Sequence, residues 1–338
     1  MRDSSAGSGD TAEYWVRRSA DAPIMGPIMP DEDEVMNETP DPRLVELLAC
    51  PQCRGGLAAG PGILRCSGCG GEYDVIRGIP CLYPPSMDED HLREEESLAD
   101  VMERAPGSGK ERFSLAQWKE SKREFWEMVE ADTGAGGWTM LNIGSGFDTG
   151  FRKLQSKGGM FVNFDLVYRM LDHLRSEEGA QHCVAGDINS LPFGKGTFDY
   201  VISIDVIHHE FDRLEETLSS FASLLKPGGT LFLEDPNAWG LFQFPKSILL
   251  PRPVYRLARK LYHRMRRSTH RPAEYEFPTS VWKVKRTLKR LGFAELEVYP
   301  NRAYPEIGRW ACRLYGLLSK IEFIGRYHNF HYMIRARL

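Results

Sequence analysis

Between residues 138 and 235, short β-type apolar runs alternate with helical stretches. The runs are WTMLNI, MFVNFD, HCVAG, FDYVISI and TLFLED, with helix candidates around 149–157, 168–177 and 212–225. A strand followed by a helix re-enters its sheet in the same direction, so this alternation predicts an α/β fold whose parallel sheet is covered by helices on both faces. The chain has 338 residues, room for about two domains. Hydrophobic residues at 42% and charged residues at 27% exclude wholesale disorder, collagen and a disulfide-dense miniprotein. No run reaches the ~18 uninterrupted apolar residues of a membrane span, and no leader pattern opens the chain, so a cytoplasmic protein is expected.

The net charge of −4 is unevenly spread. Residues 1–42 hold ten Asp/Glu against three Lys/Arg, a balance of −7, so the rest sums to +3. That first segment lacks apolar periodicity and reads as a disordered acidic tail. Residues 86–112, acidic and then Gly/Ser-containing, read as a linker. A helix is expected next, where Leu115, Trp118, Phe125, Trp126 and Val129 recur. It opens an α/β domain over 113–338.

Cys50, Cys53, Cys66 and Cys69 form the pattern C-x2-C-x12-C-x2-C. Two residues between thiolates let one tight knuckle present both sulfurs to one ion, and two facing knuckles complete a tetrahedral Zn(II) shell. Four thiolates leave no open position, so the metal is expected to be structural. Cys81 lies outside the pattern and reads as a small buried hydrophobe. Residues 44–84 (LVELLACPQCRGGLAAGPGILRCSGCGGEYDVIRGIPCLYP) resemble the Trm112-like zinc-ribbon family, including the EYDVIRGIP tail. The resemblance implies a small ribbon over 43–85 that supports or partners a methyltransferase.

The first β-run of the alternating segment breaks at LNIGSGFDTG, where Gly144 and Gly146 let backbone amides approach a ligand beside a helix N-terminus. A dinucleotide fingerprint would need glycine at 149, and Thr149 stands there. Asp165 ends the second run, where a carboxylate can accept both hydroxyls of a ribose. Asp187 follows the third. The ordered set over 138–235 resembles the class I S-adenosyl-L-methionine-dependent methyltransferases, with their Rossmann-like sheet. The resemblance implies that Gly144, Ser145 and Gly146 face the methionine part of the cofactor, that Asp165 holds the ribose, that Asp187 and Ile188 flank the adenine, and that Ser203 and Ile204 lie beside the sulfonium, with Asn142, which can orient the loop by hydrogen bonds, and Leu166 also in the cofactor site. Two positions depart from the family: Asn142 stands where an acidic residue is usual, and Asp148 where a third glycine is common.

A sulfonium is an activated donor, so the protein must mainly align the acceptor and exclude water, with a base where a proton must leave. His208 and His209 follow the fourth run and are the candidate bases, each set against roles in loop orientation and packing; His209 is the better candidate, because the resembled family often places a histidine there.

From 236 to 273 there are nine Lys/Arg and no Asp/Glu. Val254, Leu257, Ala258, Leu261, Tyr262 and Met265 recur at helical spacing, which gives a cationic amphipathic helix. Three readings compete: a lid insertion over 236–275 that buries its apolar face on the sheet, a helix on an anionic membrane surface, and one tracking a phosphate backbone. The leading expectation is a methyltransferase acting, most often on oxygen, on a small-molecule, glycan or lipid-linked acceptor, cytoplasmic or peripheral at a membrane. An RNA methyltransferase is the alternative, since a zinc ribbon before a class I domain resembles a ribosomal-RNA guanine methyltransferase family. Against nucleic acid stand the lack of overall basicity and the missing Asn-Pro-Pro-Tyr-type signature. A non-catalytic scaffold for a partner enzyme is the third reading.

Overall fold

The computed structural model describes residues 38–87, 92–93, 95–96, 115–241, 243–249, 253–254, 257, 261, 277–301 and 309–338. The expected tail to residue 37, most of the linker and most of the basic insertion lie outside the described residues.

The strands run β1 (Leu57–Gly60), β2 (Ile63–Cys66), β3 (Glu72–Ile76), β4 (Ile79–Leu82), β5 (Thr139–Ile143), β6 (Met160–Asp165), β7 (His182–Gly186), β8 (Phe198–Ile204), β9 (Leu225–Pro236), β10 (Glu295–Tyr299) and β11 (His331–Arg337). They form one sheet in the order β1-β2-β3-β4-β7-β6-β5-β8-β9-β11-β10. Strands β4, β7, β6, β5, β8 and β9 are parallel, while β11 runs antiparallel between β9 and β10. From β5 the chain builds outward through β6 to β7, then returns to place β8 on the other side of β5. The β5/β8 boundary is therefore the switch point, where crossovers diverge and leave a crevice at the strand C-termini.

Alternation along each strand divides the core into two layers. Leu141, Ile143, Val162, Phe164, Val201 and Leu233 face one side, against helices α6 (Leu214–Leu224) and α8 (Val281–Arg290). Met140, Phe161, Cys183, Ile202 and Phe232 face the other. That layer is covered by α3 (Arg123–Asp132), α4 (Phe151–Gln155) and α5 (Tyr168–Ser176). The single helix expected near 115–129 is two, α2 (Leu115–Ser121) and α3, with Lys122 at the break. Its side chain turns inward, to the carboxylates of Asp205 and Glu234.

The cysteine segment begins with α1 (Pro42–Leu47), capped by Asp41, whose carboxylate accepts the Arg43 N–H at 2.8 Å. It ends by joining the sheet. Strands β3 and β4 meet in a two-residue hairpin in which Arg77 and Gly78 both have positive φ, 48° and 70°, the conformation a tight twisted turn demands. Strand β4 then pairs parallel with β7 through Cys81 opposite Ala185 and Leu82 opposite Gly186. The cysteine segment is thus continuous with the main sheet.

Helices α7 (Phe244–Ser247), α9 (Arg309–Leu318) and α10 (Glu322–Tyr327) lie in the C-terminal third. The lid reading expected a buried apolar stripe here. At the described positions the stripe is exposed instead: Val254 is 48%, Leu257 59% and Leu261 50% accessible. A helical period shows that a face is apolar, not that this chain supplies its cover.

Candidate cofactor cleft and cysteine cluster

At the C-terminal end of β5 the chain turns through Gly144 (φ 68°), Ser145 and Gly146 (φ 50°). The turn is fastened to β6: Gly144 and Ser145 donate their N–H groups to the Phe164 carbonyl at 2.8 and 3.1 Å, and Gly146 donates to Asp165 Oδ2 at 2.7 Å. Only glycine fits at 144, because a Cβ there would lie 2.2 Å from Val206 Cγ2. At 146 the space is open, with Met170 Sδ as nearest neighbour at 3.9 Å. Asp165 Oδ1 also accepts the Val167 N–H at 2.9 Å. Each carboxylate oxygen keeps a lone pair for a ligand hydroxyl. Burial raises the Asp165 pKa to about 6, against the lowering effect of the Val167 and Gly146 N–H groups.

Asp187 caps the short 3-10 turn 188–190, accepting the Asn189 N–H at 2.8 Å, and Ile188 packs partly buried beside it. Asn142, Ser145 and Ser203 are buried, and their side-chain polar atoms have no hydrogen-bond partner. Such orphaned groups at a switch point fit an adenosine-bearing ligand that would satisfy them. Asp148 turns away from this role: it accepts the Trp126 indole N–H at 2.8 Å and the Gly150 N–H at 2.9 Å, buttressing α3 against the loop.

The two histidines after β8 have different partners. His208 Nδ1 lies 2.9 Å from Asp235 Oδ1. Asp235 is fully buried at the end of β9, and its Oδ2 accepts the Thr279 hydroxyl at 2.8 Å. With the Thr279 proton committed there, Tyr332 donates its hydroxyl to Thr279 Oγ1 at 2.6 Å. A carboxylate can only accept, so the His208 proton sits on Nδ1 and Nε2 is left as an acceptor. His209 Nδ1 instead lies 3.3 Å from Glu95 Oε1, and the two imidazoles are 4.2 Å apart. Sequence reasoning missed Asp235; the signal was an aspartate closing β9 as Asp165 closes β6.

It also missed a buried ionic cluster beside the cleft. Lys122, 1% exposed, reaches Asp205 Oδ2 at 2.5 Å and Glu234 Oε1 at 3.0 Å. Trp118 donates its indole N–H to Asp205 at 3.1 Å, Asn301 donates to Glu234 at 3.0 Å, and His331 Nε2 is 3.3 Å from Asp205. Against its own burial, Asp205 is held well below the usual carboxylate range by Lys122, whereas burial raises Glu234 to about 7. Burial, reinforced by Lys122, lowers His331 to about 3. One carboxylate is thus the counter-ion of the ammonium, and the other is near its titration point at neutrality.

The four predicted cysteines do come together, with all Sγ atoms within 4.8 Å of one another. Cys50 and Cys69 are 3.7 Å apart, Cys53 and Cys66 3.4 Å. A tetrahedron with Zn–S bonds of ~2.3 Å has edges of about 3.8 Å, so the quartet fits that ion. The Cys69 and Gly68 N–H groups draw the Cys66 thiol down to about 6. The segment also grips the cleft. Arg54 donates its guanidinium N–H groups to the Leu191 and Phe193 carbonyls, Ala49 N–H reaches Pro192 O at 2.9 Å, and Tyr83 OH reaches Leu166 O at 2.8 Å.

A stretch of 97 residues is 34% identical to the biotin biosynthesis bifunctional protein BioHC of Cellvibrio japonicus, covering 28% of this chain and 19% of that protein. Another of 81 residues is 36% identical to a methyltransferase of Encephalitozoon cuniculi, covering 23% of this chain and 37% of that one. The chain therefore spans well under half the length of either relative. Among solved structures, a SAM-dependent methyltransferase from Archaeoglobus fulgidus aligns with a TM-score of 0.43 at 18% identity, over 67% of this chain and 96% of that one. Residues 141–233, which carry the glycine bend, Asp165, Asp187, Ser203 and both histidines, match the family described as a methyltransferase domain.

Proposed function

We propose that the chain transfers a methyl group from S-adenosyl-L-methionine to a hydroxyl of a small-molecule, glycan or lipid-linked acceptor, and that a structural Zn(II) closes the cysteine cluster. The observation that carries this reading is the closure of the glycine bend on Asp165, Gly146 N–H to Oδ2 at 2.7 Å, at the switch point of the sheet. Gly144 to Gly146 offer their backbone to the methionine part, Asp165 takes the ribose hydroxyls, Asp187 and Ile188 flank the adenine, and Ser203 closes the end of β8. The bound cofactor supplies a methyl group on a sulfonium, which needs alignment more than activation.

His208 is the base in this reading. Its Nε2 takes the proton that the acceptor hydroxyl loses as the oxygen gains its methyl group, and Asp235 steadies the imidazolium so formed. The test is calorimetric. S-adenosyl-L-methionine should bind the natural chain, and Asp165→Ala and Gly144→Val should each abolish or strongly weaken that binding; unchanged affinity in both would remove the cleft from consideration. Labelled methyl donor added to metabolite and lipid extracts, with Asp165→Ala as control, identifies the acceptor. His208→Asn should lower turnover by about 10²–10⁴ while leaving cofactor affinity intact.

A further inference from the structure

Among the described residues, every exposed large hydrophobic side chain falls between 241 and 323. One of them, Trp282 at the start of α8, lies on Tyr327 with centroids 4.5 Å apart at 8°. Phe323, 56% exposed, lies 5.4 Å from Tyr327 and 5.3 Å from His328, whose carbonyl accepts the Leu241 N–H. Cations are interleaved with these rings. Lys285 Nζ is 4.9 Å from the Tyr327 centroid and 5.6 Å from that of Trp282. Helix α8 carries five Lys/Arg and no acid, and residues 236–273 carry nine more without one. The nearby acids are already paired, Glu322 with Arg326 and Glu215 with Arg290.

We infer that this surface docks the protein on an anionic lipid bilayer. A protein interface core sheds lysine, whereas Trp and Tyr with Lys and Arg beside protruding aliphatics suit the headgroup boundary, where aromatic rings sit half in hydrocarbon and cations meet lipid phosphates. The position fits as well. The surface is reached from the end of β9 and leads into the start of β11, the same end of the sheet as the cleft. Trp282 lies three residues beyond Thr279, which bonds Asp235. Docking there turns the cleft toward the membrane, so the acceptor is a lipid-borne hydroxyl. This last step rests on the methyltransferase reading; the docking itself does not.

Sedimentation of the full chain with sucrose-loaded vesicles tests it without any methyl transfer. The protein should pellet with equimolar phosphatidylcholine and phosphatidylglycerol, not with phosphatidylcholine alone, and should be released by salt. Phe323→Asp and Leu257→Asp should each weaken vesicle binding about tenfold or more, with thermal midpoints held because both side chains are exposed. Lys285→Glu with Lys289→Glu should act likewise. Failure to pellet with anionic vesicles, equal binding by all variants, or a stable dimer in light scattering that these substitutions dissolve would each overturn the proposal. Cofactor binding measured on the same samples shows separately whether the methyltransferase reading stands.

Discussion

Replacing Lys122 with methionine removes the ammonium that buried Glu234 and half-buried Asp205 share while keeping most of the side-chain volume. Lys122 is 1% exposed and Glu234 is equally sealed, so water cannot take the place of the lost charge. Removing one partner of a buried ion pair costs about 3–5 kcal/mol, a large share of a typical 5–15 kcal/mol. At roughly 2–4 °C per kcal/mol for domains of 150–250 residues, the midpoint should fall by at least about 5 °C. The deficit should also depend on pH. Glu234 already has a folded pKa near 7, above its ordinary 4.5; without Lys122 it moves further up, and Asp205 loses the charge that holds it down. A carboxyl whose folded pKa is raised binds more protons folded than unfolded, so stability is lost as pH rises. Lys122→Met should therefore be nearly tolerated near pH 4 to 5, where both acids are neutral, and most harmful near pH 8. Calorimetric melting across that range, with Trp118 fluorescence as a local probe of its bond to Asp205, gives the answer. A loss below about 1 kcal/mol at pH 8, or one that shrinks as pH rises, would refute the assigned cluster.

Other outcomes follow from the cleft and the cysteine cluster. Arg54→Ala removes two charge-assisted bonds to the 191–193 carbonyls, each worth about 1.5–3 kcal/mol, and should lower the melting midpoint and weaken S-adenosyl-L-methionine binding in calorimetry; on the proposed Zn(II) site, a chelator should shift both in the same direction. Cofactor affinity should fall by up to about tenfold per unit as pH drops below about 6, where Asp165 becomes protonated, whereas that residue's contribution to stability runs the opposite way, falling as pH rises from its unfolded value near 3.8 through the folded one. Gly144→Ala should cost about 2–5 kcal/mol, from left-handed strain and a 2.2 Å contact with Val206. Gly146→Ala, with open space around it, should cost only the strain, and equal thermal losses would contradict the packing at 144.

The parts of this molecule that depend on local order were legible in the amino-acid sequence. The five central strands lie where the apolar runs are, and Gly144, Gly146 and Asp165 meet because consecutive parallel strands bring successive C-termini to one edge. What depended on distant register was not. His208 finds Asp235 only because β8 and β9 pair with Ile204 opposite Glu234, which no local pattern encodes. Lys122 sits in the polar stretch KESKRE, where nothing in the spacing distinguishes the inward cation from its neighbours. The stripe at Val254, Leu257 and Leu261 was visible as apolar, yet its burial depends on surfaces far along the chain.

The pairing of β4 with β7 also bears on what can be cut away. Strand β7 is fully buried and offers its flank to Cys81 and Leu82. A shortened protein starting after residue 87 would bare that flank as a row of unsatisfied amides and carbonyls next to apolar side chains, the template on which other chains polymerise. The cysteine segment thus covers an edge of the main sheet that would otherwise be open, and the two halves should melt in a single transition rather than separately.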